Sequence, residues 1–526
     1  MSASTYRRAF HVALIRPSIV AALGLLCIYS APIAARDMAD VLSTPFIDPL
    51  HVRPAVLENG ATLPGDAASI QCSTSNDLAS PLALSEAVDL ALCNNPQIKA
   101  SWAAIKVQAG AVGEARAAYL PTMSATANRL RTRTAYSNIA LASTSVDGNT
   151  VYGALSWRLF DFGTREANRQ SANSLLVAAL ATHDATLQRT LAATIQAYFD
   201  TQSSRAAWQA KEESEAIAQQ TLESAKRREA RGAVARGDTL QATTAFARAA
   251  LDKNRALGNY RKALSILIYA MGLPPDSSIV LAEEKEDSSH DDHSRNPIDI
   301  QGEDLGAWLR DAQTSHPAIL SARAQWQAAQ SKVTSTRAEG LPTVDFSANY
   351  YQNGYPGQGV STISSHINTV GVSVTFPIFD GFSRTYKVRG AQAQAEQLEA
   401  ELANTEHNIL MEVVKAHADA LSSLQNLQAS QTLLEAAQEA LTSSQRKYDK
   451  GATDILEILS TQNALADARQ ERVRCLAEWR SARLRLMANS GLLGMQSIRS
   501  GIITSENSTT HPPVAIPALT AAPNNK

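Results

Sequence analysis

Leu120-Pro121-Thr122 returns later in the chain as Leu341-Pro342-Thr343, and Asn95-Pro96-Gln97-Ile98 returns as His316-Pro317-Ala318-Ile319. Both pairs are 221 residues apart (342 − 121 and 317 − 96), and Leu84 and Val88 meet Leu305 and Leu309 at the same offset. Further on, Leu159-Phe160-Asp161 with Arg165 answers Ile378-Phe379-Asp380 with Arg384, now 219 apart (379 − 160). That second offset holds through Gly232/Gly451, Asp238/Glu457, Leu240/Leu459, Tyr260/Trp479 and Gly272/Gly491. A register kept over such a length marks a tandem duplication, here of residues 82–273 and 302–494.

Each unit carries the same sequence of parts. A helix expected over 84–119, with its counterpart over 304–339, ends at Pro121 or Pro342, because proline cannot continue a helix. Two strand-like stretches follow. A long Ala- and Gln-rich helix is then expected over 164–230 and 383–449, broken at Gly232 and Gly451. A last helix returns over 238–270 or 454–489. A 67-residue helix is roughly 100 Å long, and the two shorter helices of a unit, laid end to end, would run beside it. In the second long helix, Leu398, Leu402, Thr405, Ile409, Val413, Ala416, Ala420, Leu424 and Leu427 step at about 3.6 residues. That is the period of a nearly straight helix, which suits a wall; an ordinary two-helix coiled coil is the alternative.

The strands raise a membrane. Val370, Val372, Val374 and Phe376 alternate with Gly371, Ser373 and Thr375; Val344, Phe346, Ala348 and Tyr350 alternate with Asp345, Ser347 and Asn349. In the first unit Val151, Gly153, Leu155, Trp157 and Leu159 alternate with Tyr152, Ala154, Ser156 and Arg158. Runs of about 9–11 residues with aromatic ends have the length and pattern of a tilted barrel strand in lipid. The stretch Thr122–Leu130 matches poorly, with only Met123, Ala125 and Ala127 on its apolar face. Four strands leave open edges and close no useful barrel, whereas backbone in lipid must be fully paired. Three copies would supply twelve strands, with the loops at 131–149 and 352–366 outside.

Composition and address narrow the functions. With 48 basic and 50 acidic residues the chain lacks the basic excess of a nucleic-acid binder. Arg7, Arg8 and Arg16 precede an apolar run over 19–29 and small residues to Ala35, a secretory signal over 1–35. Cys27 lies in that discarded run. In the oxidising periplasm a Cys72–Cys93 bridge would clip an N-terminal arm (36–81) to the first helix; two unpaired thiols are the alternative. The segment 274–301 reads as a polar insertion between the units, including His290-Asp291-Asp292-His293, and 495–526 as a disordered tail. Asp161-Phe162-Gly163 spells a kinase motif without its partners and reads as a strand end. No nucleophile–base pairing stands out, so neither an enzyme nor a cofactor is expected.

Taken in order, the signal, the duplication, Asn-Pro, Leu-Pro-Thr, the Phe-Asp strand ends and the glycine turns resemble the TolC family of outer-membrane efflux and secretion proteins, over residues 82–493. The resemblance implies an α+β homotrimer: a 12-stranded outer-membrane β-barrel continuous with a periplasmic α-helical barrel. It implies a periplasmic adaptor and an inner-membrane ABC or RND transporter as partners. It also implies a gate at the helix turns, where Tyr448 matches a gate tyrosine and Asp238 and Glu457 match acidic gate positions. Thr453 stands where the family has an arginine and Ser460 where it has a second aspartate, so two polar locks are missing. Three copies of Asp238 and Glu457 would ring a constriction with carboxylates; alternatively they are solvated acids favoured at helix starts. The stretch from Cys72 to Pro96 resembles the toxin-exporting type I secretion branch; small-molecule efflux is the second reading. A soluble periplasmic coiled-coil adaptor would share the signal and helices but have no use for lipid-facing strands.

Overall fold

The computed structural model describes residues 50, 81–135, 144–232, 235–282, 305–353, 364–450, 452–453 and 455–491. The signal segment, Cys72, the insertion's His290–His293 and the C-terminal tail lie outside the described residues. The first unit runs α1 (Leu84–Asn94), α2 (Pro96–Ala117), β1 (Thr122–Thr134), β2 (Thr144–Phe160), α3 (Thr164–Ala230) and α4 (Arg236–Ala270). The second repeats it as α5 (Leu305–Ser315), α6 (Pro317–Ala338), β3 (Thr343–Gln352), β4 (His366–Thr375), α7 (Ser383–Asp449) and α8 (Ile455–Asn489). The long helices α3 and α7 are 67 residues each, with the expected bounds.

The single helix expected at the start of each unit is two. Pro96 and Pro317 occupy the first helical position of α2 and α6, where a missing N–H costs nothing. Proline pushes the residue before it out of the helical region, and Asn95 and His316 have ψ of 122°. Each then caps the next helix: Asn95 Oδ1 accepts from Gln97 N–H at 2.8 Å, and His316 Nδ1 from Ala318 N–H at 3.2 Å. Burial pushes the His316 imidazole down to about 4, keeping the ring neutral and Nδ1 free to accept.

At each break the return helix arrives. Gly272 (φ +70°) ends α4 so close to the α1–α2 junction that a Cβ would lie 2.8 Å from the Asn94 carbonyl carbon. Gly491 (φ +79°) repeats this against His316 Cα at 3.1 Å. These glycines recur because the backbone is left-handed there and another backbone touches it.

α1, α2, α4, α6 and α8 all pack on α3, and α7 packs on α5, α6 and α8. The main buried cluster, with Leu187, Leu191, Ile195, Leu267 and Met271, surrounds the α1–α2 break, and Leu484 and Ala488 of α8 join it. On α7 the expected stripe is the packed one: Val413, Ala416 and Ala420 are buried, and Ala437 and Leu441 extend it.

The four strands form one antiparallel meander, β1-β2-β3-β4. The first two exceed expectation, at 13 and 17 residues, and their ladder runs out to Thr134–Thr144. Thr122–Leu130, weak as a pattern, is therefore part of a full strand. Pairing with β2 overrides its low apolar content.

At the strand-to-helix corners, Asp161 Oδ2 accepts from the Arg165 backbone N–H at 3.0 Å and from its Nε at 2.9 Å. The Arg165 guanidinium also donates to the Arg158 carbonyl at 2.7 Å. The Arg384 backbone N–H likewise donates to Asp380 Oδ2 at 2.9 Å, and its guanidinium donates to the Gly340 carbonyl at 2.7 Å as that of Arg165 does to the Ala118 carbonyl at 3.4 Å. Pro121 and Pro342 lie between the helix ends and the first strand residues, as expected.

Candidate functional site

Two regions bear on function: the sheet at one end of the long helices and the hairpin turns at the other. In the sheet, cross-strand partners share a face, and the register aligns the apolar sets of all four strands. Met123, Leu155, Ala348 and Val370 make one row, and Trp157, Phe346 and Val372 the next. This face is bare: Met123 is 80% exposed, Val370 69% and Val374 68%. The opposite face is polar, with rows Thr122–Ser156–Ser347 and Ser124–Ala154–Asn349–Thr369. On it Arg158 Nε meets Asp345 at 2.9 Å. A soluble sheet would pack its apolar face on a core; here that face is packed on nothing, and the polar face is uncovered as well. Exposed Phe160, Phe162, Phe376, Phe379 and Phe382 gather where strands turn into helices. No described helix is long and apolar enough to cross a membrane. Among the described residues β1 pairs only with β2 and β4 only with β3, so neither outer strand of the sheet has a second partner there.

At the hairpin turns, Gly232 (φ +74°) follows α3, allowing the chain to reverse into α4. Gly451 lies outside the described residues, and the Ala452 N–H donates across that position to the Lys447 carbonyl at 2.9 Å. The tips of the two units touch. Leu222, Ala225, Ala242 and Ile455 form a buried cluster against which Tyr448 packs. Over the Tyr448 ring sits the Arg228 guanidinium of α3, 4.2 Å from the centroid. Tyr448 thus meets a cation of the other unit rather than an acid. A cation–π contact of this kind is worth about 0.5–2 kcal/mol.

Glu457 is held within its own hairpin. It accepts hydrogen bonds from the Thr453 hydroxyl, from Ser444 Oγ at 3.1 Å, and from Lys447 Nζ at 3.4 Å. These donors, Thr453 first, then Ser444 and Lys447, hold its carboxyl below the ordinary range. Thr453, where the resemblance to the family implies an arginine, is thus a partner of Glu457. Asp238 is half-buried in the first turn of α4, and its side chain meets no hydrogen-bond or ion-pair partner among the described residues. The two acids are therefore unequal, one compensated and one not. Arg228 and Lys447 escaped the sequence reading. The signal was present, since each is basic and each precedes its turn glycine by four residues.

Cys93, in the last turn of α1, is disulfide-bonded. Cys475 is a free, buried thiol in α8.

The sequence pattern of the outer membrane efflux protein family matches this chain twice, over residues 87–273 and 308–492, the two units of the duplication. Protein CyaE of Bordetella pertussis is 35% identical over 432 residues, 82% of this chain and 89% of that one. The proteases secretion protein PrtF of Dickeya chrysanthemi is 25% identical over 167 residues, 32% of this chain and 36% of its own length. A membrane protein from Pseudomonas aeruginosa, 20% identical, superposes with a TM-score of 0.68 over 82% of this chain and 99% of its own, a likeness of fold. With both of its units matched and an extensive relative above 30% identity, the chain belongs to the outer membrane efflux protein family.

Proposed function

We propose that three copies close a twelve-stranded barrel in the outer membrane, continuous with a periplasmic helical tunnel, and that this duct is the passive exit of a type I protein secretion system. The observation that carries the channel is the aligned, uncovered apolar face of a four-stranded sheet whose two outer strands have no second partner among the described residues. Unpaired edges are intolerable in hydrocarbon, so further strands must complete the ring. Transport chemistry belongs to the partners: a periplasmic adaptor and an inner-membrane transporter, with ABC type the match to protein secretion and RND type the match to drug efflux. The similarity to the proteases secretion protein PrtF favours protein cargo. The efflux reading rests on the family's own description.

The gate lies at the hairpin turns in this reading, with Gly232 and Gly451 at the bends and Asp238, Tyr448 and Glu457 beside them. The bond at Cys93 fits a pairing with Cys72 that ties the N-terminal arm to α1 near its break. Deleting the gene is the discriminating experiment. Loss of one secreted protein from the medium supports secretion, while drug sensitivity with secretion intact supports efflux. Recovery of the protein solely in the soluble periplasmic fraction would refute the channel.

A further inference from the structure

Residues 129–134 read Arg-Leu-Arg-Thr-Arg-Thr, with a positive charge at every second position. They lie in β1, and a strand turns successive side chains to opposite faces, so all three guanidinium groups leave the sheet on the same side. The strand register identifies that side. Met123, Ala125 and Ala127 oppose Leu155, Gly153 and Val151, and the same ladder continues as Arg129 opposite Asn149, Arg131 opposite Asp147 and Arg133 opposite Ser145. The arginines therefore prolong the apolar face of the sheet, not the polar one. Leu130, Thr132 and Thr134, on the other face, carry no charge.

Their height above the helices decides what they meet. β3 and β4 end at the Gln352–His366 pair, and the β1–β2 hairpin continues past it. Eight residues separate Val344, in the apolar row nearest the helices, from Gln352, and two more separate Val151, the partner of Gln352, from Asn149 opposite Arg129. At about 3.4 Å per residue and a strand tilt of about 40°, Arg129 stands about 26 Å above Val344 along the membrane normal. The apolar band of an outer-membrane barrel is about 25 Å tall, so the first arginine falls at the far edge of the hydrocarbon. Arg131 and Arg133 rise beyond it in steps of about 5 Å. With the helices in the periplasm, that edge belongs to the outer leaflet.

The charge on this face is unbalanced. Arg131 Nε lies 3.4 Å from Asp147, with both side chains well exposed, whereas Arg129 and Arg133 are exposed and take no ion-pair partner among the described residues. A guanidinium is weakly hydrated and grips phosphate oxygens in pairs, which suits a site between hydrocarbon and water.

We infer that Arg129, Arg131 and Arg133 form a phosphate ladder for a phosphorylated glycolipid of the outer leaflet, whose acyl chains lie along Met123, Leu155 and Val151. The inference rests on the outer-membrane barrel proposed above and adds the lipid that its wall takes. Native mass spectrometry of the full chain, titrated with bisphosphorylated lipid A, tests it. The triple variant Arg129→Gln/Arg131→Gln/Arg133→Gln should bind about 25-fold more weakly than the wild type, at about fivefold for each of the two uncompensated arginines. Asp147→Asn, which removes the competing carboxylate, should bind more tightly than the wild type. Lipid A stripped of its phosphates should not distinguish the three proteins. Equal binding of bisphosphorylated lipid A by all three, while the wild type conducts as an oligomer in planar bilayers, would overturn the ladder and leave the barrel standing. Release of bound lipid A by inorganic phosphate alone would mark a general anion site and overturn the lipid assignment. A wild-type chain that does not insert into bilayers would overturn both readings.

Discussion

Gly232, Gly491 and Gly272 offer an experiment in which backbone strain is held constant while crowding varies. Their φ angles are +74°, +79° and +70°, so alanine incurs nearly the same conformational cost at each, about 1 kcal/mol. Their surroundings differ. A Cβ on Gly232 meets nothing within 4 Å, one on Gly491 meets His316 Cα at 3.1 Å, and one on Gly272 meets the Asn94 carbonyl at 2.8 and 2.9 Å. Backbone cannot swing aside as a side chain does, so Gly272→Ala adds overpacking of about 1–3 kcal/mol. Gly232→Ala should therefore cost about 1 kcal/mol, Gly272→Ala about 2–4, and Gly491→Ala a value between. Large membrane assemblies commonly unfold irreversibly, so unfolding rates in guanidinium, followed by helical circular dichroism, are the suitable measure. Gly272→Ala should unfold fastest and Gly232→Ala slowest of the three. Equal rates for Gly272→Ala and Gly232→Ala would show that close approach to the helix break is not why Gly272 recurs.

Three further expectations concern the tip and the long helix. Removing the Arg228–Tyr448 contact by Arg228→Ala should favour the open tip about fivefold, read as higher single-channel open probability; a cation–π contact worth about 1 kcal/mol sets that size, and unchanged gating would refute the role. Asp238→Ala should reduce cation selectivity more than Glu457→Ala, because Glu457 already faces Lys447 at 3.4 Å; reversal potentials in a salt gradient decide, and equal effects would count against the asymmetry. Burial raises the Asp184 carboxyl to about 7, above its ordinary 3.8, so it destabilises the fold increasingly as pH rises from about 4 through 7 and not below. Asp184→Asn should therefore stabilise the protein at pH 8, by about 3 kcal/mol after allowance for partial exposure, and do nothing at pH 4; a pH-independent effect would refute the assignment.

The parts of this protein visible in its sequence are those fixed by local chemistry and repetition. The bounds of α3 and α7 follow from the glycines that flank them, Gly163 and Gly232 for one and Gly381 and Gly451 for the other, and the constant offset reveals two copies of one unit. Alternation in β2, β3 and β4 is equally local, since side chains switch faces at every residue. Other features needed the chain to meet itself. The break at Asn95 and His316 could be suspected from proline, but its purpose, docking the return-helix glycines, depends on residues some 175 positions away. β1 is a strand because β2 pairs with it, against its own weak pattern. At the tip the sequence marked Asp238, Tyr448 and Glu457. Only packing determined that Arg228 covers Tyr448 and that Thr453, Ser444 and Lys447 occupy Glu457. Side-chain partners are chosen by distance in space, and spacing along the chain carries little of that information beyond a few helical turns.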